Sequence, residues 1–226
     1  MNKKDIKIII PCYSESQVLP GCRTAIDNLQ QAGYDVAISV HPFIEGARNR
    51  ATDLSKEKHF YIDADIGFTV EQFEAIAFDD RYEVLSGAYS KYVSGDWQGL
   101  PNDPEKNNVF VAANFDKEYP GIWRYWIRND SKGIIPVDCA CTGFLCVKSS
   151  ILQLMAEHSY YPFFYKPKVF HPSYRFKYEH GSEDAGFYLS CKALEIQPYI
   201  NCDVKVDHLV RSKLKTFKED FPNANE

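Results

Sequence analysis

Residues 59–68 read HFYIDADIGF, an apolar run that ends in two carboxylates separated by one residue. The run has the length and the aromatic and β-branched content of a buried strand that closes at Asp63. In open α/β sheets, ligands bind beyond the carboxyl ends of the strands. The sequence therefore predicts that Asp63 and Asp65 stand at a ligand-binding edge of a sheet.

Strands and helices alternate on both sides of this stretch. Such alternation is typical of a parallel, doubly wound α/β sheet. The predicted strands are residues 5–10, 36–40, 59–63 and 84–87, and the predicted helices are residues 17–32, 47–55 and 70–77. We therefore expect an α/β fold with a mostly parallel, Rossmann-like sheet flanked by helices.

The second half of the chain is less regular. Its predicted elements are strands at 109–113 and 198–206 and helices at 149–157 and 183–194. Residues 160–178 form an aromatic and proline-rich loop that is too long to be a simple connection. Because no linker or repeat interrupts the chain, we interpret it as one domain (1–226) with a regular half (1–92), an irregular half (93–212) and a polar tail (213–226).

Composition narrows the class of protein. The 226 residues carry 26 Lys and Arg against 31 Asp and Glu, a net charge of −5. Nucleic acid is therefore not favoured as a partner, although a local basic groove stays possible. No apolar run approaches the ~20 residues that span a bilayer, so we expect no membrane span.

The cysteines indicate a reducing compartment. Their number, seven, is odd, and no secretory signal is visible, so we expect reduced thiols and a cytoplasmic location, in a bacterium or in the host cytosol if viral. Cys139, Cys141 and Cys146 lie close together, but without paired CxxC spacing they are better interpreted as small core residues than as a zinc site.

Asp63 and Asp65 would repel each other at a sheet edge unless a cation or hydrogen-bond donors compensate their charge. Hard divalent ions prefer oxygen ligands and often bridge to substrate phosphates. A solvated turn with two acids is the simpler interpretation, but the preceding apolar strand and the following Gly-Phe turn favour a metal site.

Six short segments resemble motifs of GT-A-fold glycosyltransferases, close to the family 2 type, in order and spacing. In the first half they are IIIPCYSE at 8–15, ARNRA at 47–51 and FYIDAD at 60–65. LSGAYSK at 85–91 resembles the strand and turn after the Asp-x-Asp motif. ACTGFLCV at 140–147 resembles the donor-sugar loop, and GSEDAGF at 181–187 resembles the acidic motif that opens the acceptor-side helix. The resemblance covers residues 6–211.

The resemblance implies transfer of a sugar from a nucleotide diphosphate donor to a hydroxyl acceptor of unknown identity. UDP-sugar is favoured, while GDP and dTDP donors stay open. Residues 1–92 would be the nucleotide-binding half and residues 93–212 the acceptor-binding half. A Mn²⁺ or Mg²⁺ ion would neutralise the leaving diphosphate. Asp65 matches the direct metal ligand, Asp63 would bind ribose or assist the metal, and His208 would be a further ligand.

The same resemblance assigns donor-binding residues. The turn after the first strand would hold the base and ribose, unless it is a plain strand-to-helix connection. Arg48 is equally explained as a counter-ion of Asp63 or Asp65. Arg211 and Lys213 either hold phosphate oxygens or form a solvated basic patch. The full set is Pro11, Cys12, Tyr13, Glu15, Arg48, Asn49, Asp63, Lys91, Gly143, Arg211 and Lys213.

The acidic pair at 183–184 supplies the candidate catalytic base. By resemblance Asp184 removes the acceptor proton in an inverting displacement, and Glu183 orients it. An acidic pair in a helix N-terminus capped by Ser182 is the alternative. No QxxRW signature follows, which disfavours a processive polymerase.

The aromatic residues Trp97, Trp123, Tyr125 and Trp126 are candidates for an acceptor platform, although core packing is the usual role of such residues. Three other functions stay open. A retaining glycosyltransferase would use the same fold, and a sugar-phosphate nucleotidyltransferase would also use acidic metal ligands, although residues 10–15 lack its glycine-rich basic loop. A non-catalytic module holding Ca²⁺ is the third.

Overall fold

The computed structural model describes residues 2–89, 109–115, 123–128, 130–140, 142–170, 178–180 and 182–209. The helices are α1 (Pro20–Gln31), α2 (Ile44–Ala51), α3 (Val70–Ala77), α4 (Ser149–Glu157) and α5 (Glu183–Ala193). The strands are β1 (Ile6–Cys12), β2 (Val36–Val40), β3 (Lys58–Ile62), β4 (Ile66–Gly67), β5 (Val84–Ala88), β6 (Val109–Phe115), β7 (Trp123–Arg128), β8 (Ile134–Pro136), β9 (Cys139–Ala140), β10 (Phe144–Lys148), β11 (Lys168–Phe170), β12 (Tyr178–His180), β13 (Tyr199–Lys205) and β14 (Asp207–His208).

A seven-stranded sheet in the order β2-β1-β3-β10-β5-β13-β8 forms the centre of the fold. Strands β2, β1, β3, β5 and β13 point the same way, whereas β10 and β8 are antiparallel to their neighbours. The prediction of an α/β fold with a mostly parallel sheet flanked by helices is therefore confirmed.

Strand β10 departs from the purely parallel order that strand–helix alternation predicts. It pairs antiparallel with β3, from Phe144 opposite Ile62 to Lys148 opposite Lys58. The chain therefore enters β10 at the carboxyl edge of the parallel strands. The two residues before the strand, Thr142 and Gly143, lie at that edge as a consequence.

The core lies on both faces of the sheet, because side chains alternate between the faces along each strand. Ile8 and Ile10 of β1 pack in a cluster that includes α1 and α3, whereas Ile9 packs in a cluster that includes α4 and α5. All three isoleucines are fully buried. Fully burying such a side chain contributes roughly 1.5–3 kcal/mol to stability.

Two helix boundaries differ from the predictions. Helix α1 begins at Pro20 instead of residue 17, because Glu15–Gln17 forms a separate 3-10 turn and proline suits the first helical position. Helix α2 occupies Ile44–Ala51 instead of residues 47–55, and it ends where Thr52 adopts an extended backbone (φ −67°, ψ 127°). Ala47 and Arg48 are the buried residues of this helix.

The cysteines behave as reduced core residues in the part of the chain that the structure describes. The unpaired, buried thiols are Cys12, Cys22, Cys139, Cys146, Cys191 and Cys202, while Cys141 lies outside the described residues. Within the described ranges, no helix is both long and apolar enough to cross a bilayer.

Candidate functional site

The carboxyl edge of the central sheet brings Asp63 next to the turn that precedes β10. The Asp63 backbone N–H donates to the carbonyl of Gly143 at 3.0 Å. The Asp63 carbonyl accepts from the N–H of Ile66 at 3.1 Å, which closes a tight turn after β3. This turn holds Asp63 and Asp65 at the sheet edge that the sequence predicts for them.

The buried side chain of Arg48 joins three carboxylates of the site, those of Asp63, Glu183 and Asp184. Its Nη2 donates to Asp63 Oδ1 at 2.6 Å, and its Nη1 donates to Glu183 Oε1 at 2.8 Å. The same Nη1 lies 3.6 Å from Asp184 Oδ1. Burial lowers the pKa of Arg48, but the surrounding carboxylates raise it above its ordinary value, so the side chain is charged. The contact with Asp63 agrees with the counter-ion interpretation.

The Phe164 ring packs against Arg48, and Asn49 holds the Phe164 backbone in place. The Arg48 guanidinium carbon lies 5.5 Å from the centre of the Phe164 ring, a cation–π contact. Asn49 Nδ2 donates to the Phe164 carbonyl at 2.8 Å, and Asn49 Oδ1 accepts from the Phe164 N–H at 3.1 Å. Both ends of the Asn49 amide, predicted to bind the donor, are thus engaged with the Phe164 backbone.

Asp184 lies in the first turn of α5, and Ser182 caps that helix by accepting from the Ala185 N–H at 3.2 Å. The acidic pair therefore does occupy a capped helix N-terminus, where the helix dipole favours negative charge. Asp184 also accepts a hydrogen bond from the hydroxyl of buried Thr142. Burial, reinforced by the neighbouring carboxylates, raises the pKa of Asp184 to about 7. Such a carboxyl group suits general base chemistry at neutral pH.

Gly143 lies where the site has no room for a side chain. A Cβ at this position would clash with the Tyr89 hydroxyl oxygen and would lie 2.7 Å from Asp63 Oδ2. Glycine therefore lets the chain pass directly beside the Asp63 carboxylate.

We expect Gly143→Ala to lower the free energy of unfolding by roughly 1–3 kcal/mol, because an added methyl group overpacks the site. Urea denaturation followed by circular dichroism measures the loss. Adding Tyr89→Phe removes the nearest clashing atom and should recover part of it. Wild-type stability in Gly143→Ala, or no recovery in the double variant, contradicts the close contact.

Asp65 faces His208 rather than the Arg48 cluster. His208 Nε2 lies 3.4 Å from Asp65 Oδ2, and the two side chains are 30% and 46% exposed. Strand β14 pairs with β4, placing His208 opposite Ile66, and the Leu209 N–H donates to the Asp65 carbonyl at 2.7 Å. This pairing places His208 beside the turn that follows β3.

The Asp65–His208 pair fits two neighbouring ligands of a divalent cation. With metal–ligand bonds of about 2.1 Å, adjacent ligand atoms stand roughly 3.0–3.5 Å apart, and the observed separation is 3.4 Å. Among the described residues, no group of three or more His, Cys, Asp or Glu side chains is arranged to hold a metal. Two protein ligands are enough for an ion such as Mg²⁺, which usually takes its others from substrate phosphates and water.

The adjacent ends of β1 and β2 carry exposed aromatic rings. Tyr13 is 52% exposed and Phe43 is 58% exposed. His41 joins the two ends, because its N–H donates to the Cys12 carbonyl at 3.1 Å and its Nδ1 accepts from the Phe43 N–H at 3.1 Å. The sequence analysis did not identify His41 or Phe43, although their position directly after a predicted strand was the available signal.

The other predicted donor residues of this turn differ in exposure. Pro11 and Cys12 are buried in β1, and Glu15 is exposed at the start of a 3-10 turn. Cys12 Sγ lies 3.8 Å from the Ser39 carbonyl, and burial raises the pKa of its thiol. A ligand at this turn could therefore contact the side chain of Glu15 but not the buried side chains of Pro11 and Cys12.

The remaining predicted site residues are only partly covered. Lys91, Trp97, Arg211 and Lys213 lie outside the described residues. Trp123 and Trp126 lie on β7, where the register places them opposite Phe115 and Ala113 of β6.

Comparison with known proteins does not assign this chain to a family. No protein-family model matches the chain, and no curated protein matches it. Among solved structures, A197 from STIV is similar at 16% identity and a TM-score of 0.49, over 93% of this chain and 99% of that one.

Proposed function

We propose that the chain is a metal-dependent GT-A glycosyltransferase that transfers a sugar from a nucleotide diphosphate, UDP-sugar by preference, to a hydroxyl acceptor by inverting displacement. The observation that carries the proposal is that one sheet edge holds two groups of side chains. Arg48 holds Asp184 beside the first acid of the Asp-x-Asp motif, and the second acid of the motif faces His208. A candidate base and a candidate cation pair therefore lie at the same sheet edge, connected by the turn from Asp63 to Asp65.

Donor binding would use the ends of β1, β2 and β3. Asp65 and His208 would hold Mn²⁺ or Mg²⁺, which when bound supplies Lewis-acid neutralisation of the leaving diphosphate. Tyr13 and Phe43 offer exposed aromatic faces on which a nucleobase can stack. Asp63 is held by Arg48 and keeps the turn in place.

Asp184 would act as the base. It accepts the proton of the acceptor hydroxyl while that oxygen forms a bond to the anomeric carbon, and the bond from this carbon to the diphosphate oxygen breaks. The electron pair of the broken bond leaves with the nucleoside diphosphate. Thr142 and Arg48 hold the Asp184 carboxylate in orientation, which general base catalysis requires within hydrogen-bond reach of the acceptor.

The pH dependence follows from the raised pKa of Asp184. A base works only when ionised, so kcat/KM should fall about tenfold for each pH unit below pH ~7 and level off above it. Initial rates of donor consumption across this range, at saturating Mn²⁺, give the profile. A flat profile on the acid side of neutrality contradicts the assignment of Asp184.

A nucleotide screen tests the function directly. UDP, GDP and dTDP, each with Mn²⁺ and with EDTA, are compared for the shift in melting temperature that a bound ligand causes. One diphosphate should stabilise the protein in Mn²⁺ only, and its sugar forms are then assayed, with NMR of the product to establish inversion or retention. No stabilisation by any of the three contradicts the proposal, and pyrophosphate release from a nucleoside triphosphate and a sugar phosphate indicates a nucleotidyltransferase instead.

A further inference from the structure

The two edges of the central sheet differ in how far they are protected from further pairing. At one edge, β8 is three residues long and ends in Pro136, and short strands and proline both block the addition of another strand. At the other edge, β2 reads VAISV, without proline or charge. No strand of the described ranges pairs with the outer side of β2, which we call the open edge.

The hydrogen bonds to β1 show which backbone groups of β2 face outward. The Ile8 N–H donates to the Asp35 carbonyl at 3.4 Å, and the His41 N–H donates to the Cys12 carbonyl at 3.1 Å. Because successive residues of a strand direct their N–H and C=O groups to opposite sides, the odd-numbered residues of 35–41 bond to β1. The outward groups are therefore those of the even-numbered residues, Val36, Ile38 and Val40.

The backbone of the open edge is complementary to itself. When a second copy pairs antiparallel with Ile38 opposite Ile38, Val36 lies opposite the partner's Val40 and Val40 opposite the partner's Val36. Each of these three pairs is of the kind that exchanges two N–H···O=C bonds. All outward backbone groups of β2 are then paired, whereas a register shifted by one residue sets outward groups opposite inward ones.

The apolar side chains fit the same register. Residues 36, 38 and 40 share one face of the sheet, because side chains alternate along a strand. Val36 and Ile38 are partly buried against the cluster that includes α1 and α3, and Val40 is 41% exposed. β-Branched side chains that lie opposite one another stabilise antiparallel strands. A second β2 therefore covers apolar surface that one copy leaves exposed.

The register also sets an acid opposite a hydrogen-bond donor at both ends of the pairing. Asp35, which is 62% exposed and lies 3.0 Å from Lys7 Nζ, is opposite the partner's His41. His41 Nδ1 accepts from the Phe43 N–H at 3.1 Å, so the neutral ring carries its proton on Nε2. That N–H faces the partner's Asp35, and a protonated ring adds an attraction between opposite charges.

We propose that the open edge of β2 binds the same edge of a second copy of this chain, which forms a symmetric dimer with one continuous sheet. The proposal does not rest on the proposed function. The interface borders the exposed rings of Tyr13 and Phe43, because His41 lies at one end of it. A pair of five-residue strands is a small interface, so we expect a dissociation constant on the order of 100 µM.

Sedimentation equilibrium between about 10 µM and 1 mM measures the association, since this range brackets the expected dissociation constant. The mass should rise from that of the 26.0 kDa chain toward twice that value. Val40→Pro removes an outward N–H from each copy but leaves the bonds to β1, so it should weaken association about tenfold or more. Val40→Thr is the matched control, because it keeps the N–H and the β-branched shape, and it should associate as the wild type does.

A charge exchange tests the register. Asp35→Lys sets a cation opposite the partner's His41 and should weaken association about fivefold. Adding His41→Glu restores opposite charges across the interface and should recover it. A role of Asp35 that is confined to its contact with Lys7 in the same chain predicts no such recovery.

Amide hydrogen exchange followed by NMR locates the contact. In dilute protein, the amides of residues 37, 39 and 41 should be protected by β1, whereas those of residues 36, 38 and 40 should exchange quickly. The second set should become protected as the protein concentration rises. Melting temperatures confirm that each variant is folded.

Three results overturn the proposal. The first is a wild type that stays monomeric at about 1 mM, well above the expected dissociation constant. The second is a dimer that Val40→Pro leaves intact, because it must use another surface. The third is protection of the even-numbered amides in dilute protein, which means that a segment of the same chain covers the edge.

Discussion

Replacing Arg48 by methionine should lower the free energy of unfolding by about 3 kcal/mol, the lower end for a broken buried ion pair, because it leaves three partly buried carboxylates without their cation. The guanidinium is 1% exposed and contacts Asp63 and Glu183 within hydrogen-bond distance. Methionine keeps much of the packing on Phe164, so the loss of stability would come from the missing charge and not from a cavity. Urea denaturation at neutral pH measures it, and the loss should shrink at acid pH as protonation removes the uncompensated negative charge.

Two further variants separate this effect from a general loss of packing. Adding Glu183→Gln to Arg48→Met removes one uncompensated charge and should recover about 1 kcal/mol or more, since residues in contact are energetically coupled. Arg81→Met is the control, because Arg81 is 72% exposed although its partner Asp79 is 10% exposed. It should lower the free energy of unfolding far less than Arg48→Met does, as expected for a largely exposed pair. Wild-type stability in Arg48→Met, or a further loss in the double variant, contradicts the shared-cation arrangement.

Asp184→Asn should lower the rate of sugar transfer by roughly 10²–10⁴-fold, the usual contribution of general acid–base catalysis. Asparagine has the same shape and still accepts the Thr142 hydroxyl, so folding should be retained. The measurement is kcat under saturating donor and Mn²⁺, together with the shift in melting temperature caused by the diphosphate. That shift should match the wild type, because the candidate cation pair is untouched.

Thr142→Val is the companion variant for Asp184. It keeps the base but removes the hydroxyl that orients it, so we expect a smaller loss of kcat, about tenfold, with the acid limb of the pH profile retained. Asp184→Asn should abolish that limb. A rate for Asp184→Asn within about twofold of the wild type contradicts the role of Asp184 as base.

The sequence predicted the central strands and the edge at which Asp63 and Asp65 stand, because buried runs such as residues 59–63 have a strong local pattern. It did not predict that β10 is antiparallel. A short apolar run such as residues 144–147 has the same composition in either direction, so its orientation depends on the connection before it. That orientation is what brings Thr142 and Gly143 to the site.

The contacts of Arg48 show why the rest of the site was harder to predict. The sequence suggested a pair with Asp63 or Asp65, which are close in the chain, but Glu183 is 135 positions away. No local period links such residues, and the contact arises only when α2 and α5 pack at the same sheet edge. Phe164 was missed for the same reason, since the sequence analysis placed it only within a long loop.

The most direct test of the cation site compares UDP binding to the wild type and to Asp65→Asn by calorimetry, each with Mn²⁺ and with EDTA. Asp203→Asn, which removes an exposed acid on β13, is the control. We expect Mn²⁺ to tighten UDP binding to the wild type and the control about tenfold or more, or about 1.4 kcal/mol, and to leave Asp65→Asn at its EDTA value. An equal Mn²⁺ effect in the wild type and Asp65→Asn would contradict a cation held by Asp65.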